Sequence, residues 1–92
     1  MYTISRQNRF KKDVKLAEKR GKDLQKLKEV IMSLVLGKEL EPKYKDHSLV
    51  GNYANTRECH IEPDWLLIYF TDEEEKILHL VRTGTHSDLF KK

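Results

Sequence analysis

The stretch that decides the fold reads Arg57-Glu58-Cys59-His60-Ile61-Glu62-Pro63-Asp64-Trp65-Leu66-Leu67-Ile68-Tyr69-Phe70. Residues 56–62 alternate, with Cys59 and Ile61 on one side and polar residues on the other, which predicts a half-buried strand. Proline followed by aspartate predicts a turn at residues 63–64. The unbroken apolar run at residues 65–70 is rich in strand formers and therefore predicts a central strand.

The sequence on either side of this stretch predicts the remaining elements. Downstream, an acidic turn leads into a last strand at residues 76–82. Upstream, residues 2–5 predict a first strand, and apolar residues at helical spacing predict helices over residues 7–20 and 24–36. The two helices are joined by a short turn, so they should form an antiparallel helical hairpin. Residues 38–53 are predicted to be a loop.

The order strand, helix, helix and three strands predicts an α+β domain. In this architecture the N-terminal strand joins a mainly antiparallel sheet, and the helical hairpin packs on one of its faces. The length of 92 residues suits a single domain over residues 1–92. The second face of the sheet is expected to stay open, with room for a long substrate.

The charge is distributed unevenly along the chain. Residues 1–45 hold thirteen Lys/Arg against six Asp/Glu, whereas residues 46–92 hold five against nine. The basic half suits a polyanion or an acidic partner, although solvated lysines on amphipathic helices would give the same pattern. We expect a cytoplasmic protein without a membrane segment, because the lone Cys59 suits a reducing compartment and no apolar run is long enough to span a bilayer.

Three of the four histidines lie beside predicted turns, where their side chains would be accessible. Imidazole transfers protons near neutral pH, and RNA cleavage by its own 2′-hydroxyl needs a base, an acid and a cation. These groups would come from His47, His60, Asp64, Arg82 and His86. Structural roles are also open to them, for example an ion pair of Arg82 with a carboxylate such as Glu58. Metal ligands are not closely spaced, so neither a metal nor another cofactor is expected.

Four segments, in order and at matching spacing, carry a family resemblance over nearly the whole chain. They are residues 12–17 (KDVKLA), 44–51 (YKDHSLVG), 57–69 (RECHIEPDWLLIY) and 82–90 (RTGTHSDLF). Together they resemble the YafQ-like toxins of the RelE/ParE superfamily. Relatives often have glycine shortly before the strand at residue 57, where this chain has Asn55, a residue that tolerates the left-handed backbone region.

The resemblance implies a RelE-like fold and a ribosome-dependent endoribonuclease that cleaves mRNA in the ribosomal A site without a metal. It assigns His47 as general base, His86 as general acid and Arg82 as the group that holds the scissile phosphate. The other matching positions are His60 and Asp64, which would orient the base, and Phe90, which would position a nucleobase or the tail. The surface expected to contact RNA or the ribosome comprises Lys11, Lys12, Lys15, Lys19, Lys22, Lys45, Arg57 and Trp65.

The resemblance also implies partners. A cognate antitoxin similar to DinJ or RelB is expected, together with mRNA and the 70S ribosome, and operator DNA only through the toxin–antitoxin complex. Two other functions stay open at this stage. One is a ParE-like toxin that inhibits DNA gyrase, which would not need His47, His60 and His86. The other is a non-catalytic module that binds an antitoxin and DNA.

Overall fold

The computed structural model describes residues 1–90. Eight helices and strands follow one another, with short 3-10 turns at Pro42–Tyr44 and Gly51–Tyr53. The elements are β1 (Thr3–Arg6), α1 (Asn8–Lys19), α2 (Leu24–Val35), β2 (His47–Ser48), β3 (Arg57–Glu62), β4 (Trp65–Asp72), β5 (Ile77–Gly84) and α3 (His86–Leu89).

The strands form one five-stranded sheet in the order β1-β5-β4-β3-β2. Only the β1–β5 pair is parallel, and the three other pairs are antiparallel. The predicted α+β fold with a mainly antiparallel sheet is therefore confirmed. The register shifts in β3 between His60 and Glu62 and again between β4 and β5 beside Ile68. Such irregularities bend a strand and redirect its side chains.

The main core lies between the helical hairpin and one face of the sheet. Phe10 and Ala17 of α1 and Leu27 of α2 pack against alternate residues of the strands, such as Leu67 and Leu80. Full burial of a leucine or phenylalanine side chain stabilises the fold by about 1.5–3 kcal/mol. The alternation predicted for β3 is also observed, because Cys59 and Ile61 belong to this core. Burial raises the pKa of the Cys59 thiol to about 12, which leaves the thiol unreactive.

The opposite face of the sheet was predicted to stay open, but part of it is covered. Leu66 and Ile68 are fully buried there, together with Leu89 of α3. The physical reason lies in β4 itself, since an unbroken apolar run presents hydrophobic side chains to both faces and both must be covered. The supposed loop supplies part of the cover through Leu49 and Tyr53. Residues 38–53 thus contain a short strand and two helical turns rather than an irregular loop.

Two further features follow the sequence. Asn55 adopts a φ of 70°, so it occupies the left-handed region that the comparison with glycine-bearing relatives anticipated. Among residues 1–90, no helix combines the length and the hydrophobicity that crossing a membrane requires.

Candidate active site

Three histidines that are distant in the sequence meet on the half-covered face of the sheet. His47 lies on β2, His60 on β3 and His86 at the start of α3. The ring centroids of His47 and His60 are 6.4 Å apart, and those of His60 and His86 are 5.7 Å apart. Because β2 pairs with β3, His47 of the segment predicted to be a loop is brought opposite Glu58, next to His60.

A buried carboxylate lies between two of these rings. Glu58 is only 5% exposed, and its Oε2 atom is 3.3 Å from Nε2 of His47 and 3.4 Å from Nε2 of His60. We did not predict this role for Glu58, which the sequence offered only as a possible partner of Arg82. Its position two residues before His60 on the same strand would have indicated a shared face.

Backbone carbonyls orient the same two rings. Nδ1 of His47 lies 2.7 Å from the carbonyl oxygen of Lys45, and Nδ1 of His60 lies 3.3 Å from that of Pro63. A carbonyl only accepts, so it selects the tautomer in which Nδ1 carries the proton. Nε2 of His47 is then the nitrogen left to accept a proton, and it lies beside the Glu58 carboxylate.

Asp64 contacts His86 rather than His47. Its Oδ1 atom accepts a hydrogen bond of 2.9 Å from the backbone N–H of His86 and lies 2.7 Å from Nδ1 of the ring. These two hydrogen bonds lower the pKa of the Asp64 carboxyl group. The structure therefore corrects the assignment of Asp64 to the base, because the β3–β4 turn faces the start of α3. The contact through Nδ1 fixes the orientation of the His86 ring and leaves Nε2 on the side away from Asp64.

Arg82 forms a half-buried ion pair with α1. Its Nε and Nη2 atoms donate to Asp13 over 2.7 Å and 3.1 Å, and the same carboxylate accepts from the backbone N–H of Thr83 over 3.1 Å. The pair with Asp13 raises the pKa of Arg82. Guanidinium has five N–H donors, so two bonds to Asp13 leave donors for a phosphate. The alternative pairing of Arg82 with Glu58 is not observed.

The short helix α3 is fixed by side-chain contacts at its first turn. Thr85 and Asp88 form a reciprocal capping box, and Arg20 donates to Asp88 over 2.6 Å and 3.3 Å. These contacts lower the pKa of Asp88 to about 2. A Cβ atom at Gly84 would lie 3.0 Å from Oδ2 and 3.1 Å from Cβ of Asp88, so a larger residue here would press on the capping box.

Phe90 follows α3 at the rim of the histidine cluster. The ring is 38% exposed and meets Tyr53 edge to face, with centroids 5.6 Å apart. Its centroid is 6.3 Å from that of His86. Phe90 can therefore offer an aromatic face to a nucleobase beside His86.

The residues predicted to contact RNA divide into four groups, one of which is Lys45 alone, at the end of the 3-10 turn Pro42–Tyr44. Four of them lie on α1, at positions 11, 12, 15 and 19. Arg57 is paired with Asp46, and Lys22 donates to Glu62 over 3.1 Å. Trp65 is different, since it is 1% exposed and its Nε1 atom donates to Thr83 over 3.0 Å. The indole belongs to the core and offers no face to RNA, which corrects its assignment to the binding surface.

Three residues of the site could also hold a metal ion. One ligand atom each from Glu58, His60 and His86 lie within 4.8 Å of one another. Carboxylate and imidazole are suitable ligands for zinc and copper, and three protein ligands leave a position for water or substrate. The sequence did not indicate this trio, because its members come from β3 and α3 and meet only after folding.

Comparison with known structures defines the class to which this fold and site belong, the RelE-like bacterial toxins. The crystal structure of a metal-bound toxin from Helicobacter pylori superimposes with a TM-score of 0.92 and 47% identity, covering 98% of this chain and 100% of the other. A DinJ–YafQ complex from Escherichia coli contains a chain that superimposes with a TM-score of 0.88 and 44% identity, covering 98% and 99%.

The particular family follows from the sequence comparison. A family model described as the bacterial toxin of a type II toxin–antitoxin system, YafQ, matches residues 2–91. The mRNA interferase toxin YafQ of Escherichia coli K12 is 48% identical over 90 residues, which cover 95% of this chain and 94% of that protein. The chain therefore belongs to the YafQ toxin family.

Proposed function

We propose that this protein is the toxin of a type II toxin–antitoxin system and acts as an mRNA interferase, an endoribonuclease that cleaves mRNA. The observation that carries this function is the convergence of His47, His60 and His86 around the buried Glu58. The identity of 48% with a relative named as an mRNA interferase supports it.

The reaction needs no group beyond the side chains of the site and the RNA. His47 takes the proton of a ribose 2′-hydroxyl through Nε2, and O2′ attacks the adjacent phosphorus. The P–O5′ bond breaks, the leaving O5′ takes the proton of His86, and the upstream product ends in a 2′,3′-cyclic phosphate. Arg82 stabilises the charge that develops on the phosphoryl oxygens.

Two carboxylates support the proton transfers. Glu58 stabilises the imidazolium that forms on His47, and His60 shares the same carboxylate oxygen. Asp64 holds His86 with Nε2 directed away from the carboxylate. Phe90 positions a nucleobase next to the leaving group. The acid and the base thus lie beside different carboxylates, which keeps their roles distinct.

The substrate is mRNA in the A site of the 70S ribosome, and the reaction takes place in the cytoplasm. The lysines of α1 suit this setting, because they form a basic stripe on one exposed helix. A stripe of this kind is attracted to the phosphates of ribosomal RNA and weakens with rising salt. The members of this stripe are Lys11, Lys12, Lys15 and Lys19.

The partner that controls the toxin is an antitoxin of the DinJ or RelB kind. A similar chain from Escherichia coli has been solved as a complex with DinJ, at 44% identity to this protein. Operator DNA is bound only by the toxin–antitoxin complex. The alternative of a gyrase inhibitor is disfavoured, because such an inhibitor has no use for converging histidines and the carboxylates that orient them.

The test is cleavage of mRNA on a stalled ribosome complex by wild type, His86→Ala and His79→Ala. His79 is the matched control, since its ring stacks on Phe70 at 4.4 Å on the neighbouring strand and takes no part in the site. We expect cuts within the A-site codon from wild type and His79→Ala but not from His86→Ala. Intact mRNA with all three folded proteins would reject the nuclease function, and toxicity that survives His86→Ala would favour the gyrase inhibitor.

A further inference from the structure

A groove beside the histidine cluster has no role in the chemistry described above. It has a volume of about 450 Å³ and lies between α2, the 3-10 turn at Pro42–Tyr44 and the β3–β4 turn. Pockets of about 300–1,000 Å³ accommodate small ligands, so a nucleotide fits. We call it the lysine groove, and the residues that define it are Lys26, Lys43, Tyr44, Lys45, His60 and Glu62.

The charges of the lysine groove favour an anion. Three lysines face two carboxylates, Glu29 and Glu62. Both oxygens of Glu62 are occupied, since they accept hydrogen bonds of 3.1 Å from Lys22 and 3.0 Å from Lys26. These bonds lower the pKa of Glu62 and compensate its charge within the protein. Lys43 and Lys45 form no salt bridge within the described residues, so their ammonium groups are available to a ligand.

The groove is continuous with the side of the site that holds the general base. His60 lines the groove and shares Glu58 with His47. Lys45 supplies both a groove side chain and the carbonyl oxygen that orients His47. The general acid lies on the other side of His60, with Phe90 beyond it.

We propose that the lysine groove binds the nucleotide on the 5′ side of the cut, with its 5′-phosphate between Lys43 and Lys45. The inference rests on the proposed function, since the 2′-hydroxyl that loses its proton belongs to the upstream nucleotide and must lie beside the base. The leaving O5′ belongs to the downstream nucleotide and must lie beside His86. The RNA therefore runs from the groove, across His47 and His60, towards α3 and Phe90.

The test measures binding of short RNA to the isolated full-length protein by NMR titration. The probes are 2′-O-methyl dinucleotides, which cannot be cleaved, with a terminal phosphate at the 5′ end, at the 3′ end or at neither. They are titrated into wild type, the double variant Lys43→Ala/Lys45→Ala and the control Lys28→Ala/Lys76→Ala. The control removes the same formal charge. Its Lys76 has a φ of 55°, against 50° for Lys45, and lies over the Tyr2 ring as Lys43 lies over that of Tyr44, but it is paired with Glu73 over 3.2 Å.

We expect the 5′-phosphate to strengthen binding to wild type and to the control by about tenfold, the effect of one charge-assisted contact. In the groove variant the 5′-phosphate should no longer strengthen binding. The slope of log Kd against the logarithm of the salt concentration should also be smaller by about 1 than in wild type. Loss of the gain from the 3′-phosphate instead would overturn the polarity. If the 5′-phosphate strengthens binding to the groove variant as much as to wild type, the lysine groove is not the binding site. The same conclusion would follow if the groove variant bound the antitoxin more weakly while its RNA binding was intact.

The same proteins separate this inference from the function on which it rests. If wild type and the control cleave ribosome-bound mRNA but the groove variant binds RNA as wild type does, only the proposed role of the lysine groove is rejected. Failure of wild type to cleave any mRNA rejects the nuclease function, and the assignment of a 5′ side fails with it. Thermal unfolding of each variant verifies that the comparison is between folded proteins.

Discussion

The ion pair between Asp13 and Arg82 gives a quantitative prediction for the variant Asp13→Asn. Each side chain is 12% exposed, and the carboxylate accepts from Nε, from Nη2 and from the backbone N–H of Thr83. The amide of asparagine can accept only some of these three hydrogen bonds, and it leaves the Arg82 guanidinium without a negative charge beside it. Breaking a buried pair costs about 3–5 kcal/mol, and the residual exposure favours the lower end, about 3 kcal/mol. For a domain of this size the melting temperature should fall by about 12–24 °C.

The assay is thermal and denaturant unfolding of Asp13→Asn, Arg82→Gln and the double variant. The two single effects should not add, and the coupling should exceed about 1 kcal/mol. Asp23→Asn is the matched control, because Asp23 caps α2 by accepting from the backbone N–H of Gln25, and asparagine caps equally well. A loss of less than about 0.5 kcal/mol in Asp13→Asn, or an additive cycle, would refute the view that this pair organises the end of β5.

Other predictions concern the carboxylates and metal binding. Asp88 has a pKa of about 2, below its unfolded value, so its contribution to stability is present above about pH 4 and lost as the pH falls to 2. After allowance for solvent, Asp88→Asn should remove about 1 kcal/mol of the unfolding free energy at pH 7, and equal pH dependence of both proteins between pH 2 and 7 would contradict this. Asp64→Asn should lower kcat with little change in KM or melting temperature, since the pair with His86 is exposed; an unaltered kcat would show that the pair has no role. Glu58→Gln should reduce the cleavage rate by about tenfold or more and change the shape of its pH profile. A profile of the same shape as that of wild type would exclude a role of Glu58 in assisting His47. Added Zn²⁺ should inhibit cleavage and bind the isolated protein in calorimetry, and equal affinity in His60→Gln would argue against the trio as its ligands.

Local patterns predicted most of the fold because each is written in consecutive residues. The change from helical to strand spacing locates the hairpin and the strands, and the run at residues 65–70 predicts the central strand. The same run places apolar side chains on both faces of β4, and both faces must therefore be buried. The prediction of an open face overlooked this consequence. The strand His47–Ser48 has only two residues and depends on pairing with β3, so no local period indicates it.

The candidate site was predictable in its residue types but not in its pairings. The histidines near turns could be identified from the sequence, and the structure brings them together. The partner of Arg82 lies 69 positions away and that of His86 lies 22 positions away, distances over which the sequence carries no register. Glu58 and Trp65 show the remaining difficulty. An acidic residue in a strand is usually exposed and a tryptophan is rarely buried completely, so only packing decides that both are buried here.

The two ion pairs of α1 also have an evolutionary consequence. Asp13 lies on α1 and Arg20 caps its C-terminus, and they hold Arg82 of β5 and Asp88 of α3 respectively. A change at one member of either pair leaves a charge without its partner, so drift at these sites should proceed by joint replacement. Among relatives, positions 13 and 82 should therefore vary together, as should positions 20 and 88, while the lysines between them on the outer face of α1 change independently.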